Sequence, residues 1–130
     1  MKKVFLVFLS VMAIALTGCK IENANVEVSV KDTIGLPVAK RAIFYIDKAS
    51  YIISAALPPS PEELITGIDE SGWDYAETNS LGTVTLNIPL IASKVDFYFE
   101  VFDDGSKKWI EKKVELRKGQ NDPIEFVVNK

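Results

Sequence analysis

The chain has 130 residues, with 15 Lys and Arg against 18 Asp and Glu, no histidine and one cysteine. That length holds one ordinary domain, and a net charge of −3 speaks against nucleic acid, which is bound by basic surfaces that displace counterions. The missing histidine removes the common general base near neutral pH and the commonest transition-metal ligand, and a lone cysteine excludes an internal disulfide or a cysteine-cluster zinc site, so no cofactor is expected.

The chain begins Met1-Lys2-Lys3, a short positive start, and Val4 to Leu16 is apolar except for Ser10. Such a run makes a helix of about 20 Å at about 1.5 Å per residue, against a bilayer core of about 30 Å. It suits the core of a signal peptide better than a membrane span. Leu16-Thr17-Gly18-Cys19 then resembles the bacterial lipobox, where small residues precede a cysteine that receives a diacylglycerol thioether and becomes the new N-terminus. The resemblance implies a cleaved leader over 1–18, lipidation of Cys19, a tether over 19–24 and attachment to a membrane of the bacterial envelope. Several acyl chains exceed what stable anchoring needs. An ordinary cleaved leader with an incidental cysteine is the alternative. Under the lipobox reading the sulfur is consumed, so Cys19 is no nucleophile, ligand or redox thiol. Lys20 stands where, in well-studied Gram-negative sorting, Asp retains lipoproteins in the inner membrane, so by resemblance the outer membrane is favoured. Removing Lys2 and Lys3 with the leader leaves 13 basic residues against 18 acidic, a net charge of about −5.

From Asn25 the pattern turns to period two. Val26, Val28 and Val30 share one strand face, with Glu27, Ser29 and Lys31 on the other. D-T-I-G-L-P (32–37) is turn chemistry. A second strand over 42–46 offers Ala42, Phe44 and Ile46 as a core face, and 83–89 alternates with Val84, Leu86 and Ile88 inward. Strands over 95–102 and 109–116 flank D-D-G-S, and a last strand after Pro123 turns Ile124, Phe126 and Val128 inward. With Asp104-Gly105 as a two-residue hairpin turn, Phe99 faces Ile110, Val95 faces Val114 and Asp96 meets Lys113. That register puts Tyr98, Phe102 and Trp109 on the outer face.

Residues 48–72 break the strand rhythm. Ser60-Pro61-Glu62-Glu63 reads as a helix start, with Ser as N-cap, Pro in the first turn and Glu63 reaching back, and Gly67 ends it. W-D-Y-A-E-T (73–78) is a strand of ambiguous facing.

Short strands at turn spacings of this kind predict an all-β fold: a seven-stranded Ig-like or prealbumin-like antiparallel β-sandwich over 25–130, with a short helical insertion near 60–67. Two stretches sharpen it. V-E-V-S-V-K-D-T-I-G-L-P-V (26–38) resembles the opening of carboxypeptidase regulatory-like (transthyretin-like) domains, and T-N-S-L-G-T-V-T-L (78–86) resembles their later T-D-x-x-G step, with Asn79 in place of the usual Asp and Val84 in place of an aromatic. The resemblance implies a sandwich used as a non-catalytic accessory or binding module, and it supplies no catalytic residues.

Asp103-Asp104-Gly105 lacks calcium-loop spacing and reads as a hairpin turn. Asp69, Glu70, Asp74 and Glu77 cluster near Trp73 and Tyr75, a composition that glycosidases also use, but a small sandwich offers no deep cleft. The candidate contact residues for a protein or glycan partner are Trp73, Tyr75, Tyr98, Phe102 and Trp109, which can stack on sugars or anchor an interface, or else pack beneath the 49–72 excursion. The expected function is a non-enzymatic binding or adhesion module anchored through Cys19. A structural or accessory subunit of an envelope complex or fimbria-like assembly is the alternative. If strands alternate in direction, the excursion lies at the anchored end and the turns at Gly35, Gly82 and Gly105 lie at the far end.

Overall fold

Every second residue of the first strand is apolar, and this alternation organises the molecule. The structure, a computed structural model, describes residues 22–54 and 56–129. The leader, Cys19 and Lys20 lie outside the described residues. Strand β1 (Glu22–Asp32) starts three residues earlier than the alternation signalled, and it buries Ala24, Val26, Val28 and Val30 completely. It runs through the middle of one sheet. On one side it pairs antiparallel with β4 (Thr83–Leu90). On the other it pairs with β7 (Gly119–Gln120) and β8 (Ile124–Val128), both parallel to it.

The second sheet has the order β3-β2-β5-β6, all antiparallel, from β3 (Asp74–Glu77), β2 (Ala42–Asp47), β5 (Lys94–Asp103) and β6 (Lys108–Arg117). Three short helices lie between β2 and β3: α1 (Lys48–Ile53), α2 (Pro61–Thr66) and α3 (Ile68–Ser71). The all-β, two-sheet expectation holds. Two details differ. The described residues form eight strands rather than seven, and the first sheet is mixed rather than antiparallel. The cause of both is the path after β6. The chain leaves the second sheet, touches β1 through the two residues of β7, and then ascends beside β1 in the same direction.

Between the sheets, Val26, Val28, Val30, Leu86, Ile88, Phe97, Phe99, Val101, Leu116, Phe126 and Val128 form the main core. Each such side chain contributes about 1.5–3 kcal/mol on burial. The gap between the edge strands β6 and β8 is guarded from within. Lys112 donates its ammonium to the Glu125 carbonyl and lies over the Phe126 ring at 5.3 Å, an inward-facing charge that discourages edge-to-edge pairing.

Strand β2 corrects an expectation. Ile43 and Tyr45 face the inter-sheet core, whereas Phe44 and Ile46 face away from it, into a second cluster. Both faces of β2 are apolar because both are covered, so alternation could not tell which was inner.

The β5–β6 register is also corrected. Val101 faces Ile110, Phe97 faces Val114 and Asp103 faces Lys108, so the turn holds four residues, 104–107. The slip from the expected pairing is two residues, which preserves facing. Tyr98 and Trp109 therefore point away from the main core, as expected. Asp96 lies across from Glu115 and still reaches Lys113 diagonally at 3.8 Å. The longer turn is held by bonds to Asp103, one local and two from the distant Asn129. The Asp103 carboxylate accepts from Gly105 N at 3.1 Å and from Asn129 N at 3.0 Å and Nδ2 at 3.1 Å, and Lys107 takes the left-handed conformation at φ 57°. Gly105 serves close packing there: a Cβ would stand 2.4 Å from the Asn129 Cβ.

Candidate functional site

The chain between β2 and β3 builds the least predictable part of the surface. Asp47 caps α1 by accepting from Ser50 N at 3.1 Å, and Ser60 caps α2 by accepting from Glu63 N at 3.4 Å, with Pro61 in the first turn as the sequence signalled. Helices α1, of six residues, and α3, of four, were not signalled.

This excursion leaves and re-enters at the end where β1 begins, because Asp47 faces Phe97 and Asp74 faces Tyr45. It does not stay there. It climbs the outer face of the second sheet, where Trp109 donates its indole N–H to the Pro58 carbonyl at 2.8 Å. Pro61, Glu62 and Ile65 reach a cleft shared with Arg41, Phe102 and Asp104, at the opposite end of the sandwich. The excursion was expected at the end where β1 begins; its two ends lie there, and the expectation is corrected for its middle, which reaches the opposite end. The physical reason is the group of apolar and aromatic side chains on the outer face, Phe44, Ile46, Tyr98 and Trp109, which needs a cover.

The five aromatics selected from sequence do come together, beneath that cover. Trp73 and Phe102 are buried, and Tyr75, Tyr98 and Trp109 are half-buried. Trp109 meets Phe44 edge-on at 5.4 Å and Phe102 at 5.3 Å, and Phe44 lies 5.6 Å from Tyr75. Tyr51, from α1, stacks on Tyr98 at 4.1 Å and meets Trp73 edge-on at 5.9 Å. With Leu64 and Ile46 these rings form a second core.

At the margin of this cluster lies a pair the sequence reading missed. Glu100 and Glu111 face each other directly across β5 and β6. Glu100 is only 2% exposed, and its Oε2 has no hydrogen-bond partner. Burial, then the neighbouring Glu111 carboxyl, pushes its pKa up to about 8. The Tyr51 hydroxyl donates to Glu111 Oε1 at 3.0 Å, a bond that raises its own pKa. The pair thus holds one proton near neutral pH and ties α1 to β6. Under the expected register Glu100 would have faced Trp109, which concealed the pair. A lone Glu in an otherwise apolar strand, F-Y-F-E-V-F (97–102), was the available signal.

The acidic cluster disperses. Glu70 lines a cleft of about 310 Å³ with Trp73, Leu57 and Leu64, Asp69 and Asp74 line another with Tyr75, and Glu77 lines the cleft at Arg41. Among the described residues no group of three acidic, cysteine or histidine side chains could hold a metal ion.

At the end away from Glu22, two turns share one device. Asp32 Oδ1 accepts from Ile34 N at 3.0 Å and Leu36 N at 2.9 Å. Asn79 Oδ1 accepts from Leu81 N at 2.9 Å and Thr83 N at 3.2 Å. The turns abut: Gly82 lies so near that a Cβ would be 2.8 Å from the Val30 carbonyl and 2.9 Å from Pro37 Cβ. Their tips expose Ile34 (78%), Leu36 (53%) and Leu81 (73%). No family model matches the chain, and no curated protein matches it. Among the described residues no helix is long and apolar enough to cross a membrane.

Proposed function

We propose that this chain is a lipid-anchored protein of the bacterial envelope, attached through Cys19, whose β-sandwich acts as a non-enzymatic binding module for a protein partner. The observation that carries this reading is the pair of abutting turns bearing Ile34, Leu36 and Leu81, at the end of the sandwich opposite Glu22. An anchor three residues before Glu22 would turn this apolar tip outward from the membrane. Exposed aliphatic side chains on adjoining turns suit an apolar protein surface. Sugar rings call for flat aromatic platforms, and the aromatics here lie under the excursion. Support for a non-enzymatic role comes from the absent histidine and from carboxylates distributed over separate clefts.

The test is cross-linking in intact cells, comparing the native chain with an Ile34→Asp/Leu81→Asp double variant. A partner lost from the variant, at unchanged protein level, supports the tip as the binding surface. A partner retained by the variant counts against it. A stoichiometric partner retained by both would favour the subunit role in an envelope assembly.

A further inference from the structure

We propose that the end of the sandwich where β1 begins is a bilayer-contact surface, with Ile91 seated among lipid headgroups and Lys94 and Lys118 facing lipid phosphates. The inference rests on the acylation of Cys19.

Two residues, Lys20 and Ile21, lie between Cys19 and Glu22, so three steps of chain give a reach of about 10 Å at about 3.4 Å each. A cysteine held at the membrane surface therefore keeps this end of the domain within a side chain or two of the headgroups. What the end presents fits that position. Glu22 pairs with Leu90, and the next residue, Ile91, is 84% exposed on the β4–β5 turn. Lys94 opens β5 just after it, opposite Arg117. The Lys118 N–H donates to the Ser93 carbonyl at 3.4 Å, bringing the chain after β6 against the same turn. One aliphatic side chain is thus flanked by three cations. Arg117 is paired with Glu115 at 3.3 Å, and among the described residues neither Lys94 nor Lys118 is in an ion pair. The acids at this end are Glu22, Glu115, which pairs with Arg117, Asp122 beside Arg117, and Asp47 and Asp74 where the excursion leaves and returns.

A single exposed isoleucine is ordinary on a protein surface. This one stands on the end that the tether holds down. An apolar tip ringed by lysines is the composition of an interfacial membrane contact, because the tip enters the headgroup boundary while the ammonium groups stay with the phosphates. A protein partner would have to enter a gap no deeper than the tether, so the lipid surface is the occupant that fits.

The experiment uses the acylated chain in vesicles of phosphatidylcholine and phosphatidylglycerol. Acylation blocks the native thiol, so an Ile91→Cys variant carries one site for an environment-sensitive fluorophore, and Leu81→Cys reports the opposite end. The Ile91→Cys label should shift to the blue and be quenched by brominated lipid, while the Leu81→Cys label behaves as in water. Adding Lys94→Ala and Lys118→Ala should reduce the shift at low ionic strength. An acylated Ile91→Cys protein whose label stays water-like overturns the proposal. So does a blue shift that appears without vesicles and grows with protein concentration, which would mark a contact between copies. Intact mass is read separately: a Cys19 without acyl chains removes the anchor reading, and the surface with it.

Discussion

Glu100 and Glu111 oppose each other across β5 and β6, one buried and the other hydrogen-bonded to Tyr51 of the overlying helix. Two carboxylates so placed cannot both ionise cheaply, so the folded chain retains a proton that the unfolded chain releases. The unfolded Glu100 loses it near its ordinary value of 4.5, the folded one near 8. Between those values the unfolded state binds fewer protons, so stability falls as pH rises, is greatest for this group below about 4.5, and levels off above about 8. The expected loss is on the order of a few kcal/mol. Glu100→Gln should flatten this slope and stabilise the protein at pH 8 to 9. Denaturant titrations at several pH values read the difference directly, and an unchanged slope in the variant would refute the assignment.

Trp73 should be the keystone of the excursion, since it is buried against Tyr51 and Leu64 outside the inter-sheet core. Trp73→Ala should cost about 3–5 kcal/mol. The loss should be local first: faster hydrogen exchange and protease cleavage within 48–72, with the amides of β1 and β8 still protected. Uniform loss of protection across both sheets would show that the two cores are one cooperative unit.

Gly82 and Gly35 both have positive φ, at 72° and 88°, but their surroundings differ. A Cβ at Gly35 meets nothing within 4 Å, whereas one at Gly82 would meet the Val30 carbonyl and Pro37. Gly35→Ala should therefore cost about 1 kcal/mol, from backbone conformation alone. Gly82→Ala should cost clearly more, because the two turns must separate. Thermal unfolding of the two variants side by side gives the comparison, and equal shifts would mean that the turns yield easily.

Asn79 offers a finer test. Its Oδ1 receives Leu81 N and Thr83 N, the same pattern that Asp32 sets with Ile34 and Leu36. Asn79→Asp keeps the acceptor and should leave stability within about 0.5 kcal/mol. Asn79→Ala leaves those donors to water and should cost about 1 kcal/mol. A destabilised Asp variant would show that the added charge outweighs the retained acceptor.

The strands that were legible are those with one covered face. In β1, β4 and β8, alternation named the buried side chains: Val26, Val28 and Val30, Leu86 and Ile88, Ile124, Phe126 and Val128. In β2 it failed, because Phe44 and Ile46 are covered by the excursion while Ile43 and Tyr45 meet the main core. The hairpin register failed by two residues for a cause far along the chain, the bonds from Asn129 to Asp103. That slip kept the facing of Tyr98 and Trp109 and hid the Glu100–Glu111 pair.

By itself the sequence determined the local matters: which segments are strands apart from the two-residue β7, where Ser60-Pro61 starts a helix, which turns carry Asp32 and Asn79, and that no histidine is present for acid–base chemistry. These depend on neighbours a few positions apart, within reach of propensity, period and side-chain capping. The tertiary structure alone decided what covers what. The parallel β1–β8 pairing, the climb of the excursion over the aromatics, the proton-sharing carboxylates and the placement of Ile91 and Ile34 at opposite ends arise from contacts between residues distant along the chain. Such contacts are chosen by the total area buried and by the polar groups left to satisfy, quantities that no short window of sequence contains.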